Sequence, residues 1–493
     1  MNGTRTSWWN QFANRVFKTM AQYFSILILS ASFSVGNLFG VEPRPNIVFI
    51  LADDMGYGDV GCYNSKSKIA TPHLDGLARD GVRFTNAYSA AAHCVPSRYS
   101  LLTGRYPFRG YPLRWTTHPT IPEGTVTLAS LLHDAGYKTG CIGKWHCGFD
   151  GGVETQDRPL TGGPLDRGFD SFFGQHGSLD QPPYFYIRDR RAIEPASETI
   201  AESHEEGWSV VYQGRYWRAG KIAADFKHEE VLDRYADEAV AFLQKQTANE
   251  QPFFLYFPLT APHGPWLPGK DFRGRSECGP LGDFVMHVDD VVGRVLQTLA
   301  ATGHADDTLV IFSSDNGPLW FDGDVEKYGH DSSGGLRGRK GDIWEGGIRM
   351  PLIARWPKHI PANSKSDEIV GLVDMQATLA AVIGVRLPEG AGFDSVNILP
   401  AMLGEKRDQQ LRTSIILQSL GPKDLAVRKG PWKYIPWLGS GGFLTEPRRI
   451  EPTEGGPQGQ LYHLLDDPGE TKNLYQDHPE TVEELRSLLN QTK

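Results

Sequence analysis

The spacing of apolar residues changes period several times along the chain, and the changes mark out a core. Asn46-Ile-Val-Phe-Ile-Leu-Ala52 is an unbroken apolar run with β-branched residues, the pattern of a strand buried on both faces of a parallel sheet. Lys138–Gly143, Pro252–Leu259 and Thr308–Ser313 read the same way. Between these runs the period lengthens. Thr125–Tyr137 reads as a helix, and within Asp283–Thr302 the residues Phe284, Val288, Val292, Val295 and Leu299 recur at helical spacing. Strands alternating with helices predict an α/β core.

A last helical stretch is expected at Ile369–Gly384, after which the texture changes. Ser414–Leu417, Leu425–Arg428 and Trp432–Ile435 read as short antiparallel strands, and Glu480–Leu489 as a terminal helix. The reading is a large α/β domain over 41–384 and a smaller C-terminal α+β subdomain with a short antiparallel sheet over 385–493.

The first forty residues follow another logic. Arg5, Arg15 and Lys18 precede the uncharged run Tyr23–Val35, followed by small residues at Ser34, Gly36 and Gly40, the order of a secretory signal peptide. The run is shorter than the ~20 residues that span a bilayer, and no later apolar stretch is long enough either. Residues 1–40 are therefore expected to direct export to a periplasmic or extracellular space, with no stable membrane span. An uncleaved N-terminal anchor is the competing reading, and Met20 is an alternative start.

Composition narrows the function classes. The 493 residues are 40% hydrophobic and 22% charged, which excludes a disordered chain. A formal net charge of −9 argues against a nucleic-acid partner, because phosphate backbones are bound by basic surfaces. An anionic substrate must therefore meet a local cluster of positive charge. Cys62, Cys94, Cys141, Cys147 and Cys278 form no CxxC pair and are too sparse for a disulfide framework, and whether Cys141 and Cys147 pair stays open.

In open α/β sheets ligands bind beyond the carboxyl ends of the strands. Unusual polar residues fall there four times: Asp53-Asp54, Lys144-Trp-His146, Thr260-Ala-Pro-His263 and Ser314-Asp315-Asn316-Gly317. Each alone reads equally well as a turn or a helix cap. Together they point to one site. Asp53, Asp54, Asp315 and Asn316 are hard oxygen donors, suited to Ca²⁺ or Mg²⁺ rather than Zn²⁺. Three converging carboxylates would repel without a cation. Lys144, His146, His263 and Lys340 supply the positive or convertible charge that an oxyanion needs.

Cys94 lies in His93-Cys94-Val95-Pro96-Ser97-Arg98, at an expected helix start. A low-pKa thiolate and a buried small apolar residue are both open readings. A soft sulfur beside hard oxygen donors is a mismatched ligand, so the pattern makes better sense if this side chain ends in oxygen.

Cys94-Val-Pro-Ser-Arg98 continues through Leu102-Thr-Gly-Arg105, and a second long signature runs Gly136-Tyr-Lys-Thr-Gly-Cys-Ile-Gly-Lys-Trp-His146. On these motifs the chain resembles the formylglycine-dependent, arylsulfatase-like sulfatases of the alkaline phosphatase superfamily. The likeness extends to Arg339-Lys340, to Glu345-Gly-Gly-Ile-Arg-Met-Pro351 and to the tail Leu461-Tyr-His-Leu-Leu-Asp-Asp-Pro-Gly-Glu-Thr471. The resemblance implies a large mixed, mostly parallel sheet sandwiched by helices, and hydrolysis of sulfate esters through a covalent sulfate intermediate. It implies that Cys94 is converted by a formylglycine-generating enzyme into Cα-formylglycine, whose hydrate carries the attacking oxygen. By the same resemblance Asp53, Asp54, Asp315, Asn316 and residue 94 hold one Ca²⁺, and Arg98 orients the hydrate. Lys144, His263 and Lys340 hold the sulfate or the leaving oxygen, and His146 is the base for sulfate release. Ser178, in Phe172-Phe-Gly-Gln-His-Gly-Ser178-Leu-Asp180, fits a substrate-side position.

Three rival readings follow. One is a phosphodiesterase or phosphonate monoesterase of the same superfamily, one an inactive exported glycan-binding homologue, and one a Cys-His thiol hydrolase. His73, His93 and His176 read as loop or supporting residues, and Trp145 as packing. The segment Asp180–Asp225 is rich in aromatics and cations: Tyr184, Tyr186, Arg188, Arg190, Trp208, Tyr216 and Trp217. These suit a sulfated carbohydrate and equally suit the packing of an irregular insertion; carbohydrate is the favoured substrate.

Overall fold

The computed structural model describes residues 44–110, 117–203, 217–246 and 251–492, so the expected signal segment lies outside the described residues. Ten strands form the main sheet. They are β1 (Asn46–Ala52), β2 (Val82–Tyr88), β3 (Lys138–Lys144), β4 (Ser171–Gln175), β5 (Ile187–Arg188) and β6 (Arg191–Ala192), then, beyond the two-stranded ribbon β7 (Glu198–Ile200) and β8 (Gly220–Ile222), β9 (Phe253–Pro258), β10 (Thr308–Ser314), β11 (Leu352–Arg355) and β12 (Ser364–Gly371). Their spatial order is β12-β2-β11-β10-β1-β9-β3-β4-β5-β6. Only β5 and β11 run against the others, so the sheet is mixed and mostly parallel.

β1 sits in the middle, in parallel register with β10 on one side and β9 on the other. Every one of its residues is buried, which is why its sequence shows no alternation. At β3, Gly143 adopts φ +129, and a Cβ there would stand 1.9 Å from the carbonyl oxygen of Pro258. No other residue type fits that approach of β3 to β9.

Helices cover the sheet, with boundaries set by capping chemistry. The helix expected over Thr125–Tyr137 is shorter, Leu128–Asp134, because Thr127 and Ser130 form a capping box and Gly136 turns the chain at φ +90. The helix expected from Asp283 begins at Gly279, with proline in its first turn, and runs to Ala301. The stretch Ile369–Gly384 divides: Ile369–Gly371 end β12, and the helix is Met375–Val382. No helix among the described residues is long and apolar enough to cross a membrane.

Toward the C-terminus β13 (Ser414–Gln418), β14 (Leu425–Lys429), β15 (Trp432–Ile435) and β16 (Gln460–His463) form an antiparallel sheet. Helix Pro479–Thr492 buries Val482, Leu485 and Leu489. A second apolar cluster joins this sheet to Tyr88, Ile343, Trp344 and Ile348 of the larger part. Cys141 and Cys147 are buried unpaired thiols.

Candidate active site

Four neighbouring strands, β10-β1-β9-β3, deliver the polar residues from their carboxyl ends. β1 runs into Asp53 and Asp54, β3 ends on Lys144 ahead of His146, β9 leads to His263, and β10 leads to Asp315 and Asn316. Asp54 and His146 hold positive φ angles of 66 and 55. Such backbone strain in non-glycine residues concentrates at functional sites.

Cys94 is the first residue of helix Cys94–Thr103, whose ten residues are all buried. Arg98 lies one turn further on the same face. Its Nε donates to Asp315 Oδ2 at 2.9 Å, its Nη1 to the carbonyl of Lys144 at 3.0 Å, and its Nη2 stands 3.6 Å from Asp53 Oδ1. Lys144 Nζ donates to Asp53 Oδ2 at 2.5 Å and Lys340 Nζ to Asp54 Oδ2 at 2.8 Å. Asn316 Nδ2 donates to Asp54 Oδ1 at 2.6 Å, and His263 Nε2 lies 3.7 Å from Asp54 Oδ2.

The ligand atoms of Asp53, Cys94 and Asp315 lie within 4.8 Å of one another, and so do those of Asp53, Asp54 and His263. Asp53 Oδ1 and Asn316 Oδ1 are buried without a hydrogen-bond donor among the described residues. Burial and then the charge of Asp53 push the Asp315 carboxyl up to about 7. Against the same burial, Lys144, His263, Arg98 and Lys340 hold Asp53 well below the usual carboxylate range. Orphaned acceptors and crowded carboxylates are what a divalent cation resolves, and an all-oxygen set from Asp53, Asp54, Asp315 and Asn316 fits a hard ion. These residues could hold a metal.

The remaining groups are poised by their surroundings. Burial, reinforced by Lys144 and Arg98, keeps His146 neutral, and burial with Lys340 does the same for His263. Burial pushes the Cys94 thiol up. A thiol so disfavoured as thiolate is a poor nucleophile as it stands, which weighs against the thiol-hydrolase reading.

A family model for sulfatases matches residues 45–385. The chain belongs to the sulfatase family. It is 34% identical over 486 residues to N-acetylgalactosamine-6-O-sulfatase of Bacteroides thetaiotaomicron, covering 91% of this chain and 93% of that protein. It is 33% identical over 500 residues to human arylsulfatase A, covering 94% and 89%. Among solved structures, a Bacteroides thetaiotaomicron sulfatase described with the metabolism of multiple glycosaminoglycans aligns with TM-score 0.79 and 33% identity, over 92% of this chain and 99% of that one. The sulfatase therefore shares the fold and chemistry class of enzymes that hydrolyse sulfate esters.

In this sulfatase a cavity of about 250 Å³ opens above the polar cluster, lined by Cys94, His146, His263 and Lys340. Its outer wall carries residues that the sequence did not single out. Asp180, Gln181, Arg218, Trp266 and Phe443 are among them. Trp266 follows His263 by three residues, a signal that was readable. Phe443, 48% exposed, arrives from the C-terminal part on a glycine-rich turn, and nothing in its spacing announced it. Ser178 is buried, its hydroxyl has no hydrogen-bond partner among the described residues, and it does not line the cavity, where its neighbours Asp180 and Gln181 do.

The aromatic segment resolves mostly as packing. Tyr184 and Tyr186 are buried against Phe226, and Trp217 stacks on His228. Arg188 pairs with Glu238 and Arg190 with Asp166, away from the cavity, while Trp208 and Tyr216 lie outside the described residues. Trp145 is packed, its Nε1 donating to the carbonyl of Gly148. His176 is held neutral by burial, at about 4, with Nε2 on the carbonyl of Pro183.

Proposed function

We propose that this chain is an exported sulfatase acting on sulfated carbohydrate, with a Ca²⁺ site of Asp53, Asp54, Asp315 and Asn316 and a Cα-formylglycine derived from Cys94. The observation that carries this reading is the convergence of Asp53, Asp315 and Cys94 within 4.8 Å at a buried site with two orphaned oxygens. A formylglycine-generating enzyme is the maturation partner the reading requires. Export rests on the N-terminal sequence pattern, and 41–384 as the catalytic part is supported by the extent of the family match.

When present, the hydrated formylglycine supplies an attacking oxygen and Ca²⁺ supplies Lewis-acid stabilisation of negative charge. The chain's own residues do the rest. Arg98, locked on Asp315 and the Lys144 carbonyl, fixes the orientation of residue 94 at the helix start. Lys144, paired with Asp53, and Lys340, paired with Asp54, would neutralise the peripheral sulfate oxygens. His263, neutral and beside Lys340, would hold the leaving oxygen by a hydrogen bond. His146, neutral because it is buried among cations, is the proton acceptor for the release step.

Carbohydrate is favoured because a relative 34% identical over nine-tenths of both chains acts, by its name, on N-acetylgalactosamine 6-O-sulfate, and because Trp266 and Phe443 offer aromatic faces at the cavity. The test is turnover of a panel of sulfated mono- and oligosaccharides beside an aryl sulfate and the matching phosphate esters, with the mass of the Cys94 peptide measured on the same preparation. Sulfated sugars should turn over and the peptide should carry the aldehyde mass. A free thiol in fully active enzyme overturns the formylglycine assignment, and preference for phosphate esters overturns the substrate assignment.

A further inference from the structure

Two motifs that the chemistry leaves unused meet in the interior. Glu345 opens Glu345-Gly-Gly-Ile-Arg-Met-Pro351, and Glu470 lies in the C-terminal tail motif. Lys433 of β15 stands between them, its Nζ 3.0 Å from Glu345 Oε1 and 2.9 Å from Glu470 Oε1, and all three side chains are fully buried. Glu345 Oε2 also accepts from Tyr88 Oη at 2.6 Å and lies 3.5 Å from Arg349. Burial first, then the charge of Glu345, pushes Glu470 up to about 7, so Lys433 is the cation that lets two buried carboxylates stand together.

The other oxygen of Glu470 does something a simple staple between sheets does not require. Oε2 accepts the backbone N–H of Glu345 at 2.6 Å, at the start of the short turn Glu345–Ile348. Within that turn the Gly346 N–H donates to the carbonyl of Arg337 at 2.6 Å, and the carbonyl of Gly347 accepts the N–H of Gly317 at 2.9 Å. Gly317 directly follows Asp315 and Asn316, and a Cβ on it would stand 2.0 Å from the carbonyl of Gly346. The same turn flanks Lys340, whose N–H donates to the carbonyl of Pro318 at 3.0 Å. An ion pair, two hydrogen bonds and the backbone of the turn thus connect the C-terminal sheet to the backbone of the site.

We propose that the Lys433–Glu470 pair is a positioning element that sets the Asp315–Gly317 turn, and with it the metal site, through the Glu345 backbone and the Gly346–Gly347 turn. The inference rests on the reading of Asp315 and Asn316 as metal ligands. It assigns to the C-terminal sheet a role in ion affinity, and to two otherwise unexplained acidic residues a reason for their burial.

The test compares Glu470→Ala with Glu470→Gln in the full chain after chelation, by Ca²⁺ titration calorimetry, thermal unfolding, and kcat and KM over a Ca²⁺ series. The alanine removes the acceptor for the Glu345 N–H, and the glutamine keeps it. Glu470→Ala should raise the Kd for Ca²⁺ by about 10–100-fold, the range for a support outside the ligand shell. Excess Ca²⁺ should restore its kcat, and Glu470→Gln, which keeps an acceptor for the Glu345 N–H but not the charge facing Lys433, should lose less affinity than the alanine. Lys433→Met is the second handle if the alanine variant does not fold, with the same expected loss of affinity. A lowered melting temperature with unchanged Ca²⁺ Kd in these variants reduces the pair to a structural staple and overturns the inference alone. A parent chain that binds no Ca²⁺ overturns the metal reading, and the inference with it.

Discussion

Replacing Asp59 by Asn perturbs the loop that carries Asp53 and Asp54 without touching either. Asp59 is fully buried and uses both carboxylate oxygens: Oδ1 faces His330 Nε2 at 2.9 Å and accepts from Ser332 Oγ at 2.6 Å, while Oδ2 accepts from the N–H of Gly56 at 2.8 Å. Burial alone would lower the His330 pKa, yet Asp59, helped by Cys278, raises it to about 10. An amide in that place has one acceptor oxygen where the carboxylate uses two, and it carries no charge for the imidazolium. Breaking a buried pair in this way costs about 3–5 kcal/mol near pH 7. The sign of the pH dependence follows from the raised folded pKa. The parent's stabilisation from His330 is fully present below its ordinary 6.5 and is lost as pH rises through about 10. The gap between parent and Asp59→Asn should therefore narrow at high pH toward the ~1–3 kcal/mol of one unsatisfied buried N–H. Urea unfolding at pH 6, 8 and 10.5 measures it. A gap that is constant across that range, or one that widens with pH, refutes the charged-pair reasoning.

Cys94→Ala should abolish turnover while leaving the thermal unfolding curve essentially unchanged, since the residue is a small buried side chain at a helix start; residual turnover in a purified variant would remove residue 94 from the chemistry. Asp315→Ala should lose bound metal by elemental analysis, and unchanged metal content would withdraw that ligand assignment. Lys340→Ala should lower kcat/KM by roughly 10²–10³-fold, the effect of deleting one oxyanion donor, with a loss under tenfold arguing that Lys340 serves only to pair Asp54.

The centre of the sheet was legible because burial on both faces makes β1 and β9 near-continuous apolar runs and leaves β3 and β10 with little alternation, polar residues falling mainly at their ends, and their expected bounds lie within a residue or so of those observed. The site was legible for a related reason: four polar clusters each followed a strand, and the sheet order made those strands neighbours. Helix Cys94–Thr103 gave no amphipathic signal because all its residues are buried, so only its motif marked it. The helical stretch from Ile369 failed at its start, since Ile369–Gly371 are buried as strand residues that a short apolar run does not distinguish from helix. The outer wall was the least readable. Asp180, Arg218 and Phe443 come from loops far apart in sequence, and proximity of that kind leaves no period behind. The aromatic insertion left two readings open in the sequence, and Tyr184, Tyr186 and Trp217 follow the packing one.

The charge balance of the site explains how an acidic chain can serve an anionic substrate. With all groups ionised, the buried carboxylates Asp53, Asp54 and Asp315 are matched by the buried cations Arg98, Lys144 and Lys340, so the cluster is neutral before any ion arrives. Each lysine is then occupied by a carboxylate, Lys144 by Asp53 and Lys340 by Asp54. A divalent cation held by those carboxylates would supply two positive charges in a region of low dielectric, where the field of Lys144 and Lys340 is weakly screened. Attraction for a sulfate ester is on this account a property of the metal-loaded cluster, set against a net charge of −9 for the chain as a whole. On that reading the lysines and the ion would act as one electrostatic unit, and the elements around Asp315 and Lys340, β10 and the Glu345–Ile348 turn, would be the supports on which it depends.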